Sequence, residues 1–160
     1  VLTTLHTVDA GQTINRIVGM FEQEEEKQIR IRLTDTLRWI ASQRLLPKEG
    51  GGRVAAFELM ATNLRVKDLI LNGESEGKTF YDIISGSQAF DMMTFDQSIA
   101  ELYKQGLISE ETALSYASRR AVVGRAIDAI KASRGEKTTS IEDLSLDDSY
   151  GKDQERRRGR

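Results

Sequence analysis

The spacing of apolar residues predicts a strand and two helices in the first quarter of the chain. Residues 1–5 are β-branched and apolar, which is typical of a buried strand. Asp9 is placed to cap the following helix, because its carboxylate can accept from the free amides of a first turn. Two apolar stripes of helical period follow, and the second predicts a helix to about Ser42. Their members are Ile14, Ile17, Val18 and Phe21, then Ile29, Leu33, Leu37, Ile40 and Ala41.

The pattern over residues 43–60 predicts a β-hairpin. One apolar strand ends at Pro47, the only proline of the chain, and a second strand begins at Arg53. Three glycines at residues 50–52 supply the permissive dihedral angles of a tight connection. A glycine-rich loop can instead cradle a phosphate, but such a loop leads into a helix and this one leads into a strand.

From residue 63 onward the pattern is helical. Asn63 is placed to cap a helix over residues 64–72, and Gly73 is placed to end it. Further helices are predicted over residues 80–85, over residues 95–105 after a Thr94 cap, after Ser109, and up to Ser133. Residues 134–160 have almost no apolar side chains, and their acids and arginines are segregated, which predicts a mobile tail. The predicted boundaries therefore divide the chain into residues 1–62, 63–133 and 134–160.

Composition narrows the class of protein. With 39% hydrophobic and 30% charged residues, the chain is an ordinary globular sequence, and no apolar run approaches the ~20 residues of a membrane-spanning helix. A formal charge of −2 gives no electrostatic footprint for nucleic acid. The absence of cysteine excludes disulfides and a tetracysteine zinc site and fits the cytosol. We predict no metal site, because the acids at residues 22–26 fit the solvated first turn of a helix better.

His6, the only histidine, is the first candidate for chemistry. It follows the predicted strand, lies between Thr4 and Thr7, and is followed at once by a helix. Polar residues at the end of a strand that turns into a helix often form a ligand site in open α/β sheets. A lone histidine is also often structural, so the spacing alone leaves both interpretations open.

The wider string around His6 resembles a known motif. Residues 4–7, with Asp9-Ala10 and residues 13–17, resemble the His box of the secretion ATPase superfamily. Its members are the RecA-like hexameric motors of type II and type IV secretion and of type IV pili. The resemblance implies that His6 approaches the terminal phosphate of the nucleotide and that Arg16 lies close to the same site. An imidazole and a guanidinium can both stabilise developing phosphoryl charge.

Three further segments resemble the PilT-like pilus retraction motors of that superfamily, in the same order along the chain. They lie at residues 42–60, 66–71 and 92–114, and the likeness covers about residues 1–120. In a ring of subunits, Arg53 would reach a neighbouring subunit. The middle segment resembles the I-R-N-L-I-R part of a motif needed for retraction, with Leu71 in place of its second arginine. The five conservative matches are Val66, Lys67, Asp68, Leu69 and Ile70. An amphipathic helix that docks on the domain explains this segment equally well.

Two parts of an ATPase site do not occur in the sequence. It contains no G-x-x-x-x-G-K-[ST] motif and no strand that ends in paired acids able to hold Mg²⁺. It also opens with no initiating Met. We therefore expect the C-terminal half of a longer motor. The intact protein would bind ATP and Mg²⁺, whereas this part alone would hold neither and would be inactive.

The sequence thus predicts an α/β fold, with the C-terminal part of a RecA-like P-loop NTPase core over residues 1–62 and an all-helical bundle over residues 63–133. The resemblance implies a homo-hexameric ATPase that drives pilus retraction and twitching motility. It would be cytoplasmic, peripheral at the bacterial inner membrane, and would contact the pilus platform protein there. The alternatives are a pilus assembly or type II secretion ATPase, and a non-enzymatic helical adaptor.

Overall fold

The structure of the protein is a computed structural model that describes residues 1–136. Of the predicted mobile tail, residues 137–160 lie outside the described residues. The helices and strands follow one another along the chain from Ala10 to Ser133. They are α1 Ala10–Val18, α2 Glu26–Thr36, β1 Trp39–Pro47, β2 Arg53–Ala61, α3 Leu64–Asn72, α4 Phe80–Ser85, the 3₁₀ turn Gln88–Phe90, α5 Phe95–Lys104, α6 Glu110–Tyr116 and α7 Arg120–Ser133.

Side-chain caps fix where five of these helices begin, and at four of them they confirm the predicted cap. The fifth, Thr79 before α4, accepts from the Asp82 amide and was not predicted. The side chains of Asp9, Asn63, Thr94 and Ser109 each accept a hydrogen bond from a backbone amide of the first turn that follows. Such caps satisfy amides that have no partner within the helix. At the other end of α3, Gly73 adopts a φ of 80°, which a side chain would disfavour, and ends the helix as predicted.

The β-hairpin is also confirmed. β1 pairs antiparallel with β2 in continuous register, from Trp39 opposite Ala61 to Pro47 opposite Arg53. The three glycines at residues 50–52 all have positive φ, between 78° and 103°. The Gly51 amide donates to the Lys48 carbonyl at 3.1 Å, so these glycines form the hairpin turn.

One face of the hairpin serves two separate hydrophobic cores. The first core packs α1, α3 and α4 against Ile40 and Met60. The second core packs α5, α6 and α7 against Leu46 and Ala56, farther along the same face. The buried members of the first core are Ala10, Ile14, Val18, Ile40, Met60, Val66, Leu69, Ile70, Phe80, Ile83, Ile84 and Met92. Those of the second core are Leu46, Ala56, Phe95, Ile99, Ile108, Ala113, Val123 and Ile127.

The predicted strand over residues 1–5 is wrong for this structure. Residues 1–7 form neither helix nor strand, and the side chains of Val1 and Leu2 are fully exposed. An extended segment becomes a strand only when its amides and carbonyls pair with a neighbour. In the described part of the chain, the sheet consists of β1 and β2 alone, and residues 1–5 do not pair with either.

The predicted end of the second helix is also wrong. α2 ends at Thr36, and Leu37 already has an extended ψ of 132°. Ile40 and Ala41, which continue the apolar stripe of helical period, lie in β1 opposite Met60 and Leu59. Apolar residues at three- and four-residue spacing fit a helix, but pairing with β2 gives the same backbone a full ladder of hydrogen bonds. Tertiary pairing therefore decides the conformation of this segment.

Residues Val1–Ile127 form one compact unit of the chain, and α7 continues to Ser133 in the next. The proposed domain boundary after residue 62 stays a prediction. Within the described residues, every helix is too short or too polar to cross a membrane.

Adjacent leucines on β1 test the assignment of the hairpin faces. Leu46 is fully buried in the second core, whereas Leu45 faces outward and is 49% exposed. We expect Leu46→Ala to lower the free energy of unfolding by roughly 2–5 kcal/mol, because it leaves a cavity in a packed core. Leu45→Ala is the matched control and should cost less than about 1 kcal/mol. Urea denaturation measures both, and equal losses would contradict the assigned faces.

Candidate functional site

The candidate site is the segment that carries His6 and leads into α1. The His6 side chain is exposed, as is that of Arg16 in the last turn of α1. Thr7 lies one residue after His6, and its hydroxyl shares a 2.7 Å hydrogen bond with the Thr13 hydroxyl on α1. The two predicted catalytic side chains are therefore open to solvent. One precedes the start of α1 and the other follows it, and the Thr7–Thr13 hydrogen bond fixes that start.

Two side chains of the hairpin hold the start of α1. The Ala10 amide donates to the Glu58 carboxylate, Oε1, at 2.9 Å in a buried contact. The Arg44 guanidinium, through Nη2, lies 3.5 Å from the Val8 carbonyl oxygen and donates to it. Both partners are more than 30 residues away along the chain, so only the folded structure places them here.

Glu58 and Arg44 belong to a polar belt on the inward face of the hairpin, which we define as Ser42, Arg44 and Glu58. Ser42 pairs directly with Glu58 across the two strands, and Arg44 pairs with Ala56 one step farther along the same face. The belt lies between Ile40, which belongs to the first core, and Leu46, which belongs to the second. It therefore separates the two hydrophobic cores.

Burial raises the pKa of the Glu58 carboxyl, because a charge is costly where water is excluded. The hydrogen bond from the Ala10 amide and the positive charge of Arg44 both oppose this rise. The nearby carboxylates of Asp9 and Asp96 add to it. Glu58 is thus a buried acid that is held at the N-terminus of α1 against a net electrostatic penalty.

A second buried carboxylate, Asp96 on α5, organises the connection between α6 and α7. It accepts hydrogen bonds from the Ser118 amide at 2.7 Å and the Arg119 amide at 2.9 Å. It also accepts a 2.7 Å hydrogen bond from the Tyr81 hydroxyl, and burial together with this carboxylate raises the pKa of that tyrosine. Arg119 stacks over the Tyr81 ring, with 3.8 Å from Cζ to the ring centroid, and pairs with Asp82 at 2.9 Å.

A cavity of about 280 Å³ opens at the N-terminus of α1. Its walls include the carboxylates of Asp9, Glu58 and Glu74 and the rings of Phe80 and Tyr81. Helix N-termini often bind phosphate, but here carboxylates already accept from the first amides of α1, and their charge would repel an anion. This cavity does not fit a phosphate group.

Another cavity, of about 330 Å³, lies beside the His6 segment. Thr4 and Thr7 line it together with Thr13 on α1 and Ser42 on β1. The structure thus brings these two predicted residues together. Arg53 is not brought near them, because it pairs with Pro47 at the turn end of the hairpin. At ~3.3 Å per residue, that position is roughly 16 Å along the strand from Ser42.

The helix that resembles the retraction motif is α3. Its apolar positions Val66, Leu69 and Ile70 are buried in the first core, as an amphipathic helix requires. Its polar positions are at the surface, where Asp68 pairs with Lys78. The remaining motif-like residue, Lys67, is half-buried, and Leu71 is 42% exposed. The apolar positions of the motif therefore have a structural role in the first core. A role of this helix in retraction stays a prediction.

The sequence reasoning missed the buried carboxylates of Glu58 and Asp96 and the half-buried Arg44. A signal for Glu58 was present, because alternation along β2 places it on the same face as the apolar Ala56 and Met60. A charged residue on an otherwise apolar strand face indicates a buried polar contact. Nothing in the local pattern could identify the partner, since Ala10 lies 48 residues away.

In the described residues, no three His, Cys, Asp or Glu side chains lie close enough together to hold a metal ion. The side chains that the resemblance predicts to contact a nucleotide, His6 and Arg16, are both exposed. These groups suit contact with a terminal phosphate, and they do not make a cradle for a whole triphosphate.

Comparison with known proteins shows which class of protein has this fold. No protein-family model matches the chain. A crystal structure of the pilus retraction motor PilT with bound ADP matches with a TM-score of 0.60 and 40% identity, over 76% of this chain and 33% of that one. The ATPase DotB of Legionella pneumophila matches with a TM-score of 0.52 and 26% identity, over 68% of this chain and 29% of that one. The fold is therefore that of the RecA-like secretion ATPases, as predicted.

Sequence relatives narrow the class further. The type IV pilus retractation ATPase PilT of Pseudomonas aeruginosa is 39% identical over 113 residues, which is 71% of this chain and 32% of that protein. A twitching motility protein of Neisseria gonorrhoeae is 39% identical over 114 residues, which is 71% of this chain and 30% of that protein. The chain is homologous to the PilT-like pilus retraction ATPases, and it spans about a third of the length of these relatives.

The pKa of Glu58 gives a prediction for stability against pH. A carboxyl whose pKa is raised by folding stabilises the fold at low pH, and this contribution is lost as the pH rises through the folded-state pKa. Glu58→Gln keeps an oxygen acceptor for the Ala10 amide and removes the charge. We expect this variant to be more stable than the parent at pH 7, and the difference to shrink as the pH falls towards 4.

Thermal unfolding from pH 4 to pH 8 measures this difference. Glu49→Gln, in the exposed hairpin turn, is the control and should track the parent at every pH. A stability difference between Glu58→Gln and the parent that stays constant over this range would contradict a raised pKa.

Proposed function

We propose that the intact protein is a hexameric ATPase that drives type IV pilus retraction and twitching motility. The observation that carries the proposal is the 39% identity to a pilus retractation ATPase over 71% of this chain. The PilT structure with bound ADP supports nucleotide binding by the intact protein, with Mg²⁺ as the usual counter-ion of ATP. The hexamer, the contact with a pilus platform protein and a place at the cytoplasmic side of the inner membrane extend the same proposal.

In this proposal, His6 contacts the terminal phosphate and Arg16 supports it. Both side chains are exposed, so either can meet a nucleotide that approaches from outside the described residues. A positioned imidazole or guanidinium stabilises the charge that develops on the transferred phosphoryl group, and it does so best when it needs no reorganisation. Thr4 and Thr7 flank His6 in the sequence and line the cavity beside this segment. Arg53, at the exposed hairpin turn, is proposed to meet a neighbouring subunit.

The hydrophobic core that α1 and α3 share connects the proposed chemistry to a movement. Ile14 of α1 and Leu69 of α3 are buried in the same hydrophobic core. Packed cores resist deformation, so a displacement of α1 would carry α3 with it as one body. The proposal therefore assigns α3 the role of passing the movement of the nucleotide site to the base of the pilus.

Replacement of His6 tests the proposed chemistry. We expect His6→Ala in the complete gene product to lower ATP turnover by about two orders of magnitude, because loss of a group that acts on transition-state charge costs roughly 3 kcal/mol. Phosphate release under saturating Mg·ATP measures the turnover. Gln28→Ala, an exposed position on α2, is the control. Unchanged turnover in His6→Ala would favour the non-enzymatic adaptor instead.

Replacement of Leu71 tests the proposed role of α3. Its side chain is 42% exposed, so Leu71→Arg introduces the arginine of the motif without burying a charge. We expect twitching to change while ATP turnover stays within about twofold, since the substitution does not touch the proposed nucleotide contacts. Leu64→Arg, at the start of the same helix and 84% exposed, is the matched control. Equal twitching by the parent and Leu71→Arg would contradict this role.

A further inference from the structure

Each residue from Thr7 to Ala10, directly after His6, makes a defined contact. Thr7 bonds to Thr13 at 2.7 Å, and the Asp9 carboxylate accepts from the Gln12 amide at 2.8 Å. These two contacts are local to α1. The other two, on the Val8 carbonyl and the Ala10 amide, come from the polar belt of the hairpin. The backbone that carries His6 is therefore held both by its own helix and by the hairpin.

The same Arg44 side chain also contacts the connection between α6 and α7. Its Nη1 donates to the Tyr116 carbonyl and to the Ser118 hydroxyl, each at 3.2 Å. Its guanidinium lies over the Phe95 ring, with 3.9 Å between Cζ and the ring centroid. Stacking and a forked set of donors fix the plane of an arginine in a way that a lysine cannot reproduce. Arg44 thus joins the His6 segment to the second core.

The charges of the belt are not explained by stability alone. Glu58 is only 5% exposed, and the belt interrupts an inward face that is otherwise apolar. Charged groups in such a place are often replaceable by apolar ones of similar volume with no loss of stability. Their contacts instead fix the position of one backbone segment relative to others, which is a specific geometric effect.

We propose that Glu58 and Arg44 are positioning residues for His6. Glu58 fixes the residue at which α1 begins, and Arg44 fixes the position of the Val8 carbonyl, two residues after His6. Because Arg44 also binds the α6–α7 connection, a displacement of that connection would move the His6 backbone. This inference rests on the proposed function for its catalytic consequence, whereas the positioning itself is a property of the described residues.

Amide hydrogen exchange on the 160-residue chain tests the positioning. Glu58→Leu removes the acceptor of the Ala10 amide, so exchange at Ala10 should rise by about tenfold or more, whereas amides of the hairpin ladder stay protected. Glu58→Gln keeps the acceptor and should restore protection to within about threefold of the parent. Unchanged exchange at Ala10 in Glu58→Leu would overturn the proposal.

Arg44→Lys provides an independent variant if Glu58→Leu does not fold. This variant keeps the positive charge, but it loses the forked donors of the guanidinium and their contact with the Phe95 ring. We expect the ring resonances of His6 to shift and broaden in this variant, because its backbone is then held by fewer contacts. Arg38→Lys, at an exposed position just before β1, is the matched control. A His6 spectrum identical in Arg44→Lys and the parent would also overturn the proposal.

A double-mutant cycle in the complete gene product tests the catalytic consequence. Glu58→Leu should lower kcat for ATP by about tenfold with a smaller change in KM, and by less than about twofold when His6 is already alanine. If Glu58→Leu lowered kcat by the same factor with His6 present and with His6→Ala, its role would be merely structural and the proposal would be overturned. If His6→Ala alone left turnover unchanged, the proposed function would fail, and hydrogen exchange at Ala10 would still decide the positioning.

Discussion

The described structure depends on one shared surface, the inward face of the hairpin formed by β1 and β2. Ile40 and Met60 at one end pack under α1, α3 and α4, while Leu46 and Ala56 at the other end pack under α5, α6 and α7. Neither helical group could bury its apolar stripe without this sheet, since an amphipathic helix needs an apolar partner. The register of the hairpin therefore fixes how both cores are built.

The polar belt between the two cores gives the molecule its specific geometry. Apolar packing is tolerant of small displacements, whereas hydrogen bonds act only at defined distances and angles. In the belt, Glu58 accepts such bonds and Arg44 donates them, and outside the belt Asp96 on α5 accepts them. These groups tie the start of α1 to the hairpin and the hairpin to the α6–α7 connection.

Much of the fold was readable from local pattern. The caps at Asp9, Asn63, Thr94 and Ser109 and the glycine turn of the hairpin depend on residues within a few positions of one another, so the sequence shows them directly. The motifs around His6 also identified the class of protein, which homology then confirmed. The roles of His6 and Arg16 stay predictions, because a motif identifies the residues and not their contacts.

The sequence by itself determined four of the helix starts, the hairpin and the family of this protein, since each rests on short-range chemistry or on motif order. Only the tertiary structure decided that Ile40 and Ala41 continue a strand, because their helical spacing is overruled by pairing with β2. It also left residues 1–5 without a strand partner in the described chain and placed the Glu58 carboxylate on an amide 48 residues away. Contacts of this kind depend on which surfaces meet after the helices and strands have formed, and no local pattern encodes that meeting.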